Sequence, residues 1–140
     1  MDLPAALAFA EQRHQGVLAT IRRDGRPQLS NILYAIDEGF ARISVTETRA
    51  KTRNLQRDPR ASLYVVGENF WSYVVLDGDV ELSEVANEPR DATVEQLIAL
   101  YRRIRGEEHS DWDEYRKVMV EERRLVASLR IERAYGMIGR

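Results

Sequence analysis

Thr48, Arg49 and Lys51 stand where a strand-like run, FARISVT, gives way to a polar helical run that ends at Asp58-Pro59. Free N–H groups at a helix start, hydroxyls and cations in one place are the parts of an anion site. The helical run has almost no apolar face, since Ala50 and Leu55 are nearly all it offers. Arg49, Arg53 and Arg57 recur every four residues, where like charges repel by roughly 0.2–0.5 kcal/mol per pair. Apolar packing therefore does not account for this helix. It is either an anion-binding terminus or a solvated surface helix whose arginines pair with Glu47 or with acids elsewhere.

Two further segments carry chemistry. Arg26-Pro27-Gln28-Leu29-Ser30-Asn31 places polar groups inside a strand-like run, with Gln28 and Ser30 on one face. Such a face is either exposed to solvent or lines a ligand site. Phe70-Trp71-Ser72-Tyr73 is the other. Read as strand, it puts Trp71 and Tyr73 on one face, where aromatics with polar tips serve ring stacking, a barrel core or a dimer contact.

The elements that must hold these residues follow from periodicity and turn chemistry. Asp2 can cap a short helix with Pro4 in its first turn and a Leu3, Leu7, Ala10 stripe, stopped by Gly16. GVLATIRR reads as a strand, Asp24-Gly25 as a hairpin turn, and RPQLSNILYAI as the return strand. Asp37-Glu38-Gly39 turns into FARISVT, whose alternation slips near Ala41. ASLYVVG and the long run FWSYVVLDGDVELS follow, and Gly78 inside the latter predicts a bulge or bend. Asn87 and Pro89 open a helix whose buried face is Val94, Leu97, Ile98, Tyr101 and Ile104, ended by Gly106. Ser110 and Asp113 resemble a capping box for a further helix through about Glu122, and RLVASLRIERAYGMI alternates as a sixth strand. With tight turns the strands are antiparallel. The expectation is one domain over residues 1–140, mainly β with peripheral helices. Its six-stranded barrel is closed or half-split.

Composition removes several functions. The 140 residues contain no cysteine, which excludes disulfide frameworks, thiolate catalysis and Cys-ligated metals. His14 and His109 are the two histidines and lie at no metal spacing. The acidic run from Glu107 to Glu114 reads as a solvated helix start, so no metal is expected. Neither the G-x-G-x-x-G nor the P-loop pattern occurs. A net charge of −2 argues against nucleic acid as partner. No run reaches the roughly 18 apolar residues of a membrane span, and the N-terminus lacks the features of a signal peptide, so the cytoplasm is the expected location. No nucleophile or general acid stands out, so catalytic residues stay unassigned and any redox chemistry needs a cofactor.

The three segments, in this order, resemble the pyridoxamine-phosphate-oxidase-like split β-barrels, and more narrowly the flavin/deazaflavin oxidoreductases that use coenzyme F420. GVLATIRRDGRPQLSN, TRAKTRNLQRDPRASL, the WSY aromatic strand, VEQLIALYRRI and GEEHSDWDEYRKVMVEERR carry the likeness. The resemblance implies a homodimer with two equivalent cofactor sites at the subunit interface. It implies that Arg49 and Lys51 hold the cofactor phosphate, and that Gln28, Ser30 and Asn31 run alongside the tricyclic ring. Trp71 and Tyr73 would lie near the pocket from the partner subunit, and Arg124 would be a basic residue near the cofactor. The implied activity is hydride transfer from reduced F420 to a small organic substrate. FMN-binding oxidoreductase and non-catalytic F420 carrier are the alternatives. The phosphate oxidases have an adjacent Arg-Lys pair and a long C-terminal extension. Arg49-Ala50-Lys51 and the sequence after the last strand depart from both, which points away from vitamin B6 chemistry.

Overall fold

The computed structural model describes residues 1–139. Helix α1 (Leu3–Glu11) precedes the hairpin β1 (Gln15–Ile21) and β2 (Pro27–Leu33), then β3 (Ala35–Asp37) and β4 (Phe40–Thr46). Helix α2 (Ala50–Arg57) leads to β5 (Arg60–Val66) and β6 (Tyr73–Leu82). Helices α3 (Ala92–Arg105) and α4 (Trp112–Glu121) come before β7 (Arg124–Met137). The strands make one antiparallel sheet in the order β2-β1-β5-β6-β7-β4-β3.

Among the described residues there are seven strands where the pattern predicts six, because the run RPQLSNILYAI breaks at Tyr34. Tyr34 is fully buried. Its hydroxyl donates to the Ala10 carbonyl at 2.7 Å and its backbone N–H donates to the His14 carbonyl at 2.8 Å. Its hydrogen bonds thus leave the sheet for the α1–β1 connection. The two edge strands, β2 and β3, are therefore consecutive in the chain. The sheet curls until its edges meet at one residue, yet they do not pair with each other. The result is a half-barrel with a split.

Gly78 shows why the barrel bends where it does. A β-carbon there would lie 1.8 Å from the Arg130 carbonyl oxygen, and the β6–β7 register shifts between Asp77 and Gly78. The predicted bulge is present, and only glycine allows this backbone approach. At the β3–β4 turn, Glu38 and Gly39 both adopt positive φ (51° and 83°), as a two-residue hairpin turn requires.

The main core fills the half-barrel, with Leu18, Ile43, Leu63, Leu76 and Leu129 among its fully enclosed residues. In β4 the alternation does not slip. Ala41, Ile43 and Val45 point inward, while Phe40 lies outside between the guanidinium groups of Arg42 and Arg130. A second, smaller core joins α3, α4 and one residue of β7, Val126. Residues 125–129 are consequently buried on both faces rather than alternating.

Three helix starts differ from expectation. Asp2 precedes α1 without a side-chain cap. Asp91, not Asn87, caps α3 and accepts from Val94 N–H, with the Asn87 and Glu88 N–H groups on its other oxygen. Asp111, not Ser110, caps α4 and accepts from Glu114 N–H. In each replaced case a carboxylate stands closer to the donors than the predicted cap, by about one helical turn at Asp91 and by a single residue at Asp111.

Candidate functional site

The split between β2 and β4 holds a cavity of about 300 Å³, walled by α3 and α4. Asn31, Ile32 and Leu33 come from the free edge of β2, and Ser44, Val45 and Thr46 from β4. Such a volume is at the small end for ligand sites.

Among the described residues four cations face this cavity: Arg49, Lys51, Arg105 and Arg124. The β4–α2 turn sets the first two. Thr46 carbonyl accepts from Arg49 N–H at 3.1 Å and from the Thr52 hydroxyl at 2.7 Å, which pins the turn. Arg49 then occupies the position before the helix, and Lys51 lies in its first turn. Arg124 enters from β7, opposite Thr46 in the ladder, and reaches the Ser44 hydroxyl (3.4 Å) and Glu122 (2.9 Å). Arg105 comes from the last turn of α3, its guanidinium 5.6 Å from the Tyr101 ring.

No carboxylate lines the cavity among the described residues, and Arg49, Lys51 and Arg105 have no acidic partner within ion-pair distance there. Partial burial, together with the Arg49 and Arg124 charges, holds the half-buried Lys51 amine below the usual lysine value. Glu122 offsets part of the Arg124 charge, and the other three cations leave the field in the cavity positive, the condition under which an anion binds.

The opposite wall is apolar and aromatic. Leu97, Leu100, Tyr101 and Ile104 project from α3. The rings of His109, Trp112 and Tyr115 lie 5.3, 5.5 and 5.3 Å from the Tyr101 ring and hold it edge-on. Tyr115 donates its hydroxyl to the Leu97 carbonyl at 3.1 Å, and burial pushes its phenol up to about 12. It is therefore a neutral wall residue across the physiological range.

Of the residues read from sequence, the cavity unites Asn31, Arg49, Lys51 and Arg124. Gln28 and Ser30 do share a face, but it is the inner one, opposite Thr20 and Leu18. Asn31 points the other way. Trp71 lies in the turn before β6, not on a strand face with Tyr73, and is 69% exposed beside Phe70 at 5.0 Å. Tyr73 opens β6 and stacks on Tyr64 at 5.5 Å on the outer face of the sheet. Neither aromatic lines this cavity.

Helix α2 is held by more than the apolar residues suggest. Thr52, Asn54 and Leu55 are buried, and the Asn54 amide donates to the Thr20 hydroxyl at 3.1 Å. Arg57 donates to the Ile21 carbonyl at 2.6 Å and to the Asn54 side-chain oxygen at 3.2 Å, so it serves the scaffold rather than the cavity. The sequence reading missed Arg105 and the Tyr101–Tyr115 wall as site residues. The available signal was the apolar face of α3 running on past its buried part to Tyr101 and Ile104, with Arg105 beside them.

Neither histidine lines the cavity. His14 donates from Nδ1 to the Tyr34 carbonyl at 3.0 Å, and His109 Nδ1 accepts from Asp111 N–H at 2.9 Å. No cluster of metal-ligating side chains occurs among the described residues, and none of their helices is long and apolar enough to cross a membrane.

Comparison with known proteins gives the setting for this geometry. The family model described as pyridoxamine 5'-phosphate oxidase matches residues 3–137. A solved F420 reductase is 26% identical with a TM-score of 0.65, over 91% of this chain and 94% of that one. A conserved hypothetical protein from Mycobacterium tuberculosis shares the fold at 23% identity and a TM-score of 0.73, over 96% and 82% of the two chains. A heme binding protein from Mycobacterium smegmatis is 27% identical with a TM-score of 0.63, matching 96% of this chain but about half (54%) of its own.

Proposed function

The chain belongs to the pyridoxamine 5'-phosphate oxidase family, and from that premise we propose that it is an oxidoreductase that binds coenzyme F420 in the split of the barrel. The observation that carries this reading is the cavity with four cations and no carboxylate among the described residues. Such a site fits a ligand with a phosphate at one end and a flat, largely apolar ring system at the other. The F420 reductase, similar over nearly the full length of both chains, favours the deazaflavin. FMN is the second reading, because the same cations suit its phosphate.

When bound, reduced F420 would supply a hydride. The residues of this chain do the rest. Arg49 and Lys51 anchor the phosphate, with Arg124 adding charge from β7 and Ser44 steadying its guanidinium. Leu97, Tyr101 and Ile104 give the ring an apolar wall and exclude water. Fixing both reactants in one orientation lowers a barrier by several kcal/mol, on the order of 7–11 in favourable cases. That does not require a protein nucleophile.

The site is completed by a second copy of the chain in this proposal. The outer face of the sheet carries Leu29 and Leu33 of β2, Val66 of β5 and Tyr135 and Met137 of β7, all exposed, with Trp71 and Phe70 at its margin. A homodimer would cover that face and could bring Trp71 and Tyr73 toward the partner's cavity. Small organic compounds are the substrate class proposed.

The test is titration of the purified protein with F420 and with FMN, followed by fluorescence. Tight F420 binding that weakens by about 100-fold or more in the Arg49→Ala, Lys51→Ala double variant is expected, from two lost charge-assisted contacts of about 1.5–3 kcal/mol each. Unchanged affinity in that variant would overturn the assignment of Arg49 and Lys51 as the phosphate anchor. Tight FMN with weak F420 would select the flavin reading. Turnover of a substrate panel by the loaded protein separates an enzyme from a carrier.

A further inference from the structure

We propose that Lys51 is a covalent capture site for phosphorylated aldehydes, its amine condensing with the aldehyde carbon while Arg49 and Arg124 hold the phosphate. Three observations converge. Lys51 lines a half-enclosed cavity and has no acidic partner among the described residues. Arg49 and Arg124 stand in the same cavity, so an anion is delivered beside the amine. The facing wall, Leu97, Tyr101 and Ile104, suits a flat ring attached to the aldehyde.

The chemistry follows from the environment. A lysine crowded by other cations and shielded from water gives up its proton more readily, and the free amine is the nucleophile. Lys51 meets both conditions, and its proton is held less firmly for both reasons. The amine nitrogen attacks the aldehyde carbon and a C–N bond forms. The former carbonyl oxygen then leaves as water, taking its two protons from the nitrogen, and a C=N bond remains. No oxidant or reductant enters this step. The inference goes beyond the cofactor reading, since the adduct needs no flavin or deazaflavin. It also makes an aldehyde of this class a competitor for the same cavity.

The sequence provides an internal control. Lys51 and Lys117 are the two lysines of the chain. Lys117 is exposed on α4 and pairs with Glu121 at 3.8 Å. The wild-type protein is incubated with pyridoxal 5'-phosphate as probe, reduced with borohydride to fix the imine as a secondary amine, and mapped by peptide mass spectrometry. Lys51 is expected to react at least about tenfold faster than Lys117 and the amino terminus. Unphosphorylated pyridoxal should lose that preference, and inorganic phosphate should protect Lys51 alone. The Lys51→Arg variant, which keeps the charge, should show no other residue taking over. Equal modification of the two lysines overturns the proposal, as does a preference that pyridoxal shows equally or that phosphate leaves untouched. A failure here leaves F420 binding standing, and a failure of F420 to bind leaves this adduct standing.

Discussion

Lys51 is partly buried and meets two arginines and no acid in its cavity, so its proton is bound less firmly than the usual value of 10.5 implies. In the free protein that depression costs stability wherever the lysine is charged. The cost is complete below the folded-state value and fades as pH rises from there to 10.5. A bound phosphate reverses the balance, because an adjacent anion favours the charged form. Between the free and bound values, ligand binding must therefore take up a fraction of a proton. Calorimetric titration of F420 in two alkaline buffers of different ionisation heat should show this uptake, and it should vanish toward neutral pH. A heat independent of buffer throughout would contradict the placement of Lys51 on the phosphate. At this scale the sequence was informative where residue type and position mark a charged turn, as at Arg49 and Lys51, which the structure brings to one cavity. It was uninformative at Arg105 and Tyr101, whose roles depend on where a helix face leaves the core, which only packing decides.

The elements were legible wherever period and turn chemistry agree, as in the Asp24-Gly25 hairpin, the Gly78 bulge and α3 ending at Gly106. The break at Tyr34 was not, because LYAI is an unbroken apolar run and nothing local marks a tyrosine whose acceptor lies 24 residues away. Its burial also holds the phenol far above its ordinary value, so the hydroxyl stays a donor. Replacing it tests how much that one bond fixes the meeting of the sheet edges. Tyr34→Phe should lower unfolding stability by about 0.5–1.5 kcal/mol, the net worth of one buried hydrogen bond, because the Ala10 carbonyl still accepts from Arg13 N–H. Urea unfolding should show this as a lower midpoint at unchanged slope. A stability equal to wild type would mean that packing of the ring alone sets the break.

For the whole molecule, the outer sheet face is the feature still to be covered. Monomers seldom leave a broad apolar surface open to water. Here Leu29, Leu33, Val66, Tyr135 and Met137 spread across strands of one sheet. A sedimentation measurement should find a particle of twice 16.2 kDa, and Val66→Asp should shift it toward the monomer while weakening F420 binding. A wild-type monomer at micromolar concentration would remove the partner from the site. A small antiparallel barrel was readable from strand alternation and turns, with one strand too few, and this face was not, because alternation tells which residues oppose each other but not which side a neighbour covers.

Strands β6 and β7 are neighbours in the sheet and in chain order, so everything from residue 83 to residue 123 is, topologically, the connection of one hairpin. That connection carries α3 and α4, folds around its own small core and supplies the aromatic wall of the cavity. The proposed anion anchor sits elsewhere, on the β4–α2 turn. Heredity can then revise the wall without touching the anchor, and so can a protein engineer. A transplanted 83–123 segment would exchange what the molecule selects while preserving how it grips.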